Sequence, residues 1–147
     1  MTDSESRHST VQRSTAAVEF RIAAVLGNLA VLRTVVGAVG TISDLDFDAV
    51  ADLRLAVDEA CTRLIRSATP GATLVVVVDP REDVVVVEAS TSCETDDVVT
   101  AGSFSWHVLS SLTDDLQMFH NGSSEGASPD GRVFGITLTT RRAGASQ

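Results

Sequence analysis

Two runs of valine constrain this chain more than any other feature. Leu74-Val75-Val76-Val77-Val78 and Val84-Val85-Val86-Val87 flank Asp79-Pro80-Arg81-Glu82-Asp83. β-Branched side chains are stiff at χ1 and pack well on a pleated surface, so each run reads as a strand. The residues between them are polar or turn-forming, which predicts a hairpin with a five-residue loop. A strand with one wet face alternates apolar and polar side chains, whereas unbroken valine implies cover on both faces. Helices can supply one cover, and a second subunit is the expected source of the other.

The remaining elements follow from periodicity. Val18-Glu19-Phe20-Arg21-Ile22 alternates and predicts a half-buried strand. Val25, Leu29, Leu32, Val36 and Val39 recur at helical spacing, which predicts a helix over about 25–39 that Gly37 and Gly40 weaken at its end. Val50, Leu53, Val57, Ala60 and Leu64 form one stripe of a second helix, with Asp46 or Asp48 as its cap. That helix stops before Thr69-Pro70-Gly71. Ser90 to Ser103 is polar and expected to be a loop. Trp106, Leu109 and Leu112 mark a short helix, and Leu116–His120 and Val133–Thr139 are strands separated by a turn region rich in Gly and Ser. The expected fold is an α/β two-layer sandwich, a mixed and largely antiparallel sheet with its helices on one face. Residues 1–16 and 141–147 are polar and read as flexible tails around a single domain at 17–140.

Composition narrows the function. The chain has 147 residues and a net charge of -9, so phosphate backbones would repel it and direct nucleic-acid binding is not expected. An acidic surface favours basic protein partners. No apolar run reaches the length of a membrane helix, and the N-terminus lacks the apolar stretch of a signal peptide. Cys61 and Cys93 give no disulfide framework. A cytoplasmic location is the resulting expectation. His107, His120 and Cys93 match no zinc spacing, so no metal site is expected.

The chemistry-bearing segment is the second helix, where Glu59 lies within Leu55-Ala56-Val57-Asp58-Glu59-Ala60-Cys61-Thr62-Arg63. Glu59 and Arg63 are one helical turn apart and can simply pair. The order of elements and this helix also resemble the GHKL ATPase fold. Within that fold the chain resembles the anti-sigma factor and serine-protein kinase branch, the RsbW and SpoIIAB type. The similarity is good over about 18–68 and recovers weakly at 131–138.

The resemblance implies roles for individual residues. The family helix carries Glu as general base and, four residues later, Asn as ligand to the Mg²⁺ on ATP. Glu59 keeps the first position, while Arg63 stands in the second, where a guanidinium can contact a phosphate but cannot ligate a cation. The family's Asp-x-Gly-x-Gly, whose Asp accepts the adenine amino group, falls on Glu88-Ala89-Ser90-Thr91-Ser92-Cys93-Glu94. Either Ser90 or Ala89 stands at the Asp, and Ser92 and Glu94 stand near the glycines. Gly102 matches the phosphate-binding glycine stretch in position, and Gly131 the glycine near the penultimate strand. These departures predict weak or unorthodox binding of ATP with Mg²⁺ and argue against kinase activity.

The resemblance also implies partners: an RNA polymerase sigma factor held on a homodimer and released when an anti-anti-sigma protein of the STAS type competes. Surface candidates for that contact are Arg21, Asn28 and Arg33 with Asp44, Asp46 and Asp48. The competing function classes are a serine kinase or small NTPase using Glu59 as base, and a dimerisation module that binds no nucleotide.

Overall fold

A computed structural model describes residues 13–42, 45–120 and 132–142, and gives no side-chain detail at 41 and 42. Five strands, β1 (Val18–Ala23), β2 (Thr73–Pro80), β3 (Val84–Ser92), β4 (Asp115–His120) and β5 (Val133–Arg141), form one sheet in the order β1-β2-β3-β5-β4. All four pairings are antiparallel, so the sheet is not mixed as expected. The helices are α1 (Leu29–Ile42), α2 (Phe47–Ser67) and α3 (Phe104–Leu112), with a 3-10 turn at Leu26–Asn28.

The pleat sorts the valines. Leu74, Val76, Val78, Val85, Val87 and Ala89 join Phe134, Ile136 and Leu138 on one face, where they bury against Leu32 and Val36 of α1, the stripe of α2, and Leu109 of α3. The sandwich thus has its helices on one face. The register places Val75, Val77, Val84, Val86, Glu88, Thr137 and Thr139 together on the other face. Among the described residues no helix lies there, yet Val77 is only 4% exposed, and Val75, Val84 and Val86 are half-buried.

Several boundaries differ from expectation, and the first is that Val25 lies ahead of the 3-10 turn, outside α1, and is 51% exposed rather than on the buried stripe. α1 runs on to Ile42 because its glycines face α2: a Cβ on Gly37 would sit 3.1 Å from Cδ of Arg54, and one on Gly40 would touch Val50. The hairpin loop is shorter, because the strands pair out to Pro80 and Val85 and the Arg81 N–H donates to the Val84 carbonyl at 2.7 Å. β3 continues through Ser92, because it is a central strand with neighbours on both sides: Ser90 pairs with Val75 and with Gly135, and Ser92 with Val133. Ladder bonds on both edges outweigh the weak strand preference of serine.

Ahead of β1, Ser14 ties the chain to the far end of β2. Its hydroxyl donates to Asp79 at 2.6 Å and to the Pro80 carbonyl at 2.9 Å. Asp79 is 2% exposed and also accepts from Arg81 at 3.0 Å. Burial works to raise its pKa, and the bonds from Ser14 and Arg81 overcome that and hold it below the ordinary value. Among the described residues no helix is long and apolar enough to cross a membrane.

On the open face, the ring of Phe119 lies over Gly135, directly opposite in the ladder. A Cβ at Gly135 would fall 2.1 Å from the ring. Gly135→Ala is expected to displace that ring and lower stability by about 1 kcal/mol in chemical denaturation. The same change in a Phe119→Ala background is expected to cost nothing measurable, which a double-mutant cycle checks.

Candidate functional site

α2 is set in place before its carboxylates matter. Asp46 caps it, accepting from the Ala49 N–H at 2.8 Å, with Asp48 in the first turn. Leu53, Ala56, Val57, Ala60, Cys61, Leu64 and Ile65 are buried along one stripe. The small residues at 56, 60 and 61 leave room for neighbours to approach. Fixing this stripe on the core leaves residues 58 and 59 on its two flanks.

Asp58 faces α1, where Arg33 Nε donates to it at 2.9 Å. Glu59 faces α3, where Ser105 Oγ donates to its Oε2 at 2.7 Å. Arg63 Nε donates to the same Oε2 at 3.0 Å. The Glu59 side chain is 24% exposed and Ser105 is 7% exposed, while Arg63 is 43% exposed. Burial pushes the Glu59 pKa up. The hydrogen bonds from Ser105 and Arg63, with the charges of Arg63 and Arg66, pull it down further, so it ends below the ordinary 4.5. Glu59 is therefore an ionised, oriented carboxylate with one oxygen doubly engaged.

α3 owes its place at Glu59 to a turn and a cap. Gly102 adopts φ 84°, a conformation that L side chains rarely take. Ser103 then caps the helix, accepting from the Trp106 N–H at 3.2 Å. The structure brings Glu59 and Arg63 together with Ser105, and Gly102 precedes Ser105 by three residues in the chain.

Ser90 and Ser92 do not join them. They lie in β3, not in a loop, and the register turns both to the face without helices. The residue turned toward the helices is Ala89, 2% exposed, which has no side-chain acceptor. Gly131 lies outside the described residues, as does Asp44.

Of the surface candidates, Arg21 pairs with Glu19 at 3.1 Å and Arg33 with Asp58. Asn28 donates to the Ala23 carbonyl at 2.8 Å and fastens the 3-10 turn to β1. Asp46 is the helix cap already described. A groove of about 510 Å³ opens between α1 and α2, lined by Arg33, Leu45, Phe47, Val50 and Arg54 among others, and none of Glu59, Arg63, Ser90, Ser92 or Gly102 lines it.

Ser105 was not among the residues expected at the site. It stands 46 positions from Glu59, and no local spacing links a serine inside a short helix to a distant carboxylate. Cys93, expected in a loop, is 1% exposed at the end of β3, where its N–H donates to the Arg132 carbonyl at 2.7 Å. Burial pushes the Cys61 thiol up to about 12 and the Cys93 thiol to about 11.

Two measurements check this geometry. The unfolded chain takes up the Glu59 proton first as pH falls, because the folded value is the lower one. The contribution of Glu59 to stability is therefore complete above the unfolded value and is lost as pH falls through the folded value. Glu59→Gln is expected to lower stability by about 1–2 kcal/mol at neutral pH, and denaturation curves at decreasing pH are expected to show its gap to the parent chain closing. The thiols are expected to resist Ellman's reagent at pH 8 and to react only on unfolding, as thiolate is the reactive form.

No family model matches the chain. It is 64% identical to the anti-sigma-F factor RsbW of two Mycobacterium tuberculosis strains, CDC 1551 and H37Rv. The match covers 100% of this chain and 86% of each relative. Identity at that level over the whole chain, on a two-layer sandwich with its carboxylate-bearing helix in place, shows that the chain belongs to the RsbW-type anti-sigma factors.

Proposed function

We propose that this anti-sigma factor works by stoichiometric capture: it binds an RNA polymerase sigma factor, and a STAS-type anti-anti-sigma protein displaces it. The carrying observation is the state of Glu59. Its Oε2 accepts from both Ser105 and Arg63, which makes it a link between α2 and α3. A depressed pKa also makes it a weaker base.

The residues present do not fit ATP and Mg²⁺ held in the family's manner. A guanidinium stands at Arg63, where a metal ligand is needed, and it is engaged with Glu59. Ala89, rather than a carboxylate, faces the helix layer. Serine-kinase and NTPase readings accordingly have little support, and no chemical step is assigned to the site.

Capture needs charge and apolar anchors. The net charge of -9 favours a basic partner and speeds encounter. Phe47 and Phe104, at the starts of α2 and α3, are 88% and 79% exposed, and large exposed aromatics are the usual anchors of protein contacts. Asp48 lies beside the first of them in the first turn of α2. We place the sigma contact at these helix starts, in a cytoplasmic protein that acts as a homodimer.

Titration calorimetry against a panel of purified sigma factors from the same cell is the test. One of them is expected to bind without nucleotide, and Phe47→Ala or Phe104→Ala to weaken that binding about tenfold. An anti-anti-sigma protein is expected to compete. Failure to bind any sigma factor, or stoichiometric phosphate transfer from ATP to a serine of the anti-anti-sigma protein, overturns the reading.

A further inference from the structure

The groove between α1 and α2 is polarised along its length. Three contacts order it: Arg33 of α1 meets Asp58 of α2, Gly37 faces Arg54, and Gly40 faces Val50. The two helices therefore run antiparallel. One end of the groove carries Arg33, Thr34 and Arg54, and the other carries Leu45, Phe47 and Val50. From Arg33 to Gly40 it follows α1 for about 10 Å. Its volume of about 510 Å³ lies within the range of small-molecule sites, about 300–1,000 Å³.

The charge at the basic end runs against that of the molecule. The chain carries a net charge of -9, yet among the described residues that line the groove none is acidic. Arg33 pairs with Asp58 at 2.9 Å. Arg54 has no ion pair among the described residues. Its side chain lies across Gly37, where a Cβ would fall 3.1 Å from Cδ and 3.3 Å from Nε, so the glycine gives this guanidinium its place over the groove. The Thr34 hydroxyl donates to the Ala30 carbonyl at 3.0 Å and is turned to its own helix. The groove thus offers a ligand one uncommitted cation, a second cation beside it, and an apolar end.

We propose that the groove binds the anion of a straight-chain fatty acid, with its carboxylate on Arg54 beside Arg33 and its alkyl chain running over Ala38 toward Leu45, Val50 and Phe47. A guanidinium meets a carboxylate with two parallel N–H donors, the strongest pairing this groove can make. The apolar end then asks for a ligand with no further polar group. An extended peptide brings an N–H and a carbonyl at every residue, and the backbone of two helices is already bonded within itself. Each peptide group covered there without a partner weakens binding. An alkyl chain leaves nothing unpaired. Phe47, 88% exposed beside the apolar end, gains cover from it. The site is separate from Glu59, which does not line the groove.

The test titrates the full chain with octanoate, decanoate and dodecanoate, each below its micelle concentration, and its outcome is independent of whether a sigma factor binds. Calorimetry is expected to show affinity rising about threefold for each methylene added. Arg54→Gln is expected to weaken dodecanoate about tenfold, with circular dichroism unchanged. Dodecyltrimethylammonium, which has the same chain and the opposite charge, is expected not to bind. Backbone amide shifts on adding dodecanoate are expected at Gly37, Ala38 and Val50. Absence of binding by all three acids overturns the proposal. So does equal affinity for the cationic analogue, an affinity that Arg54→Gln leaves unchanged, or shifts confined to other surfaces. Amides of the groove that ignore the acids but shift on adding a partner protein reassign it to a protein segment and overturn the proposal as well.

Discussion

The buried stripe of α2 is the constraint on which the rest of the molecule depends. Seven of its residues are buried, and their phase leaves the helix no freedom to rotate about its axis. Asp58 and Glu59 are neighbours in sequence and about 100° apart around the helix, so one falls on each flank of the stripe. One binds α1 through Arg33 and the other binds α3 through Ser105. Two adjacent carboxylates thus fasten the central helix to both of its companions. Neither link is fully buried, so neither carries the large desolvation penalty of an interior ion pair.

How far the sequence reveals this depends on the range of the interaction concerned. Local patterns were legible: the valine strands, the α2 stripe and the short α3 follow from spacing within a few residues, and of the two caps offered, Asp46 and Asp48, the structure uses Asp46. The Glu59–Arg63 pair was legible for the same reason, being one helical turn long. What was hidden is non-local. Ser90 and Ser92 become strand only because β2 and β5 lie on either side of them. Ser105 and Asp79 acquire their roles from partners 46 and 65 positions away. Polar residues that read as loop turned out to be strand or fasteners, because hydrogen-bond partners, not propensity, decided their conformation.

Arg63 shows how a charge one helical turn away settles the surroundings of a carboxylate. A long basic side chain one turn after a carboxylate on a half-buried helix face finds that carboxylate at once. Arg63 therefore supplies Glu59 with a partner inside the same helix. With Ser105 as a second donor, one oxygen of the carboxylate is engaged by two protein groups. Such a site stabilises the packing of α2 on α3. Phe47 and Phe104 both stand at helix starts next to capping residues, so their exposure is held by rigid backbone.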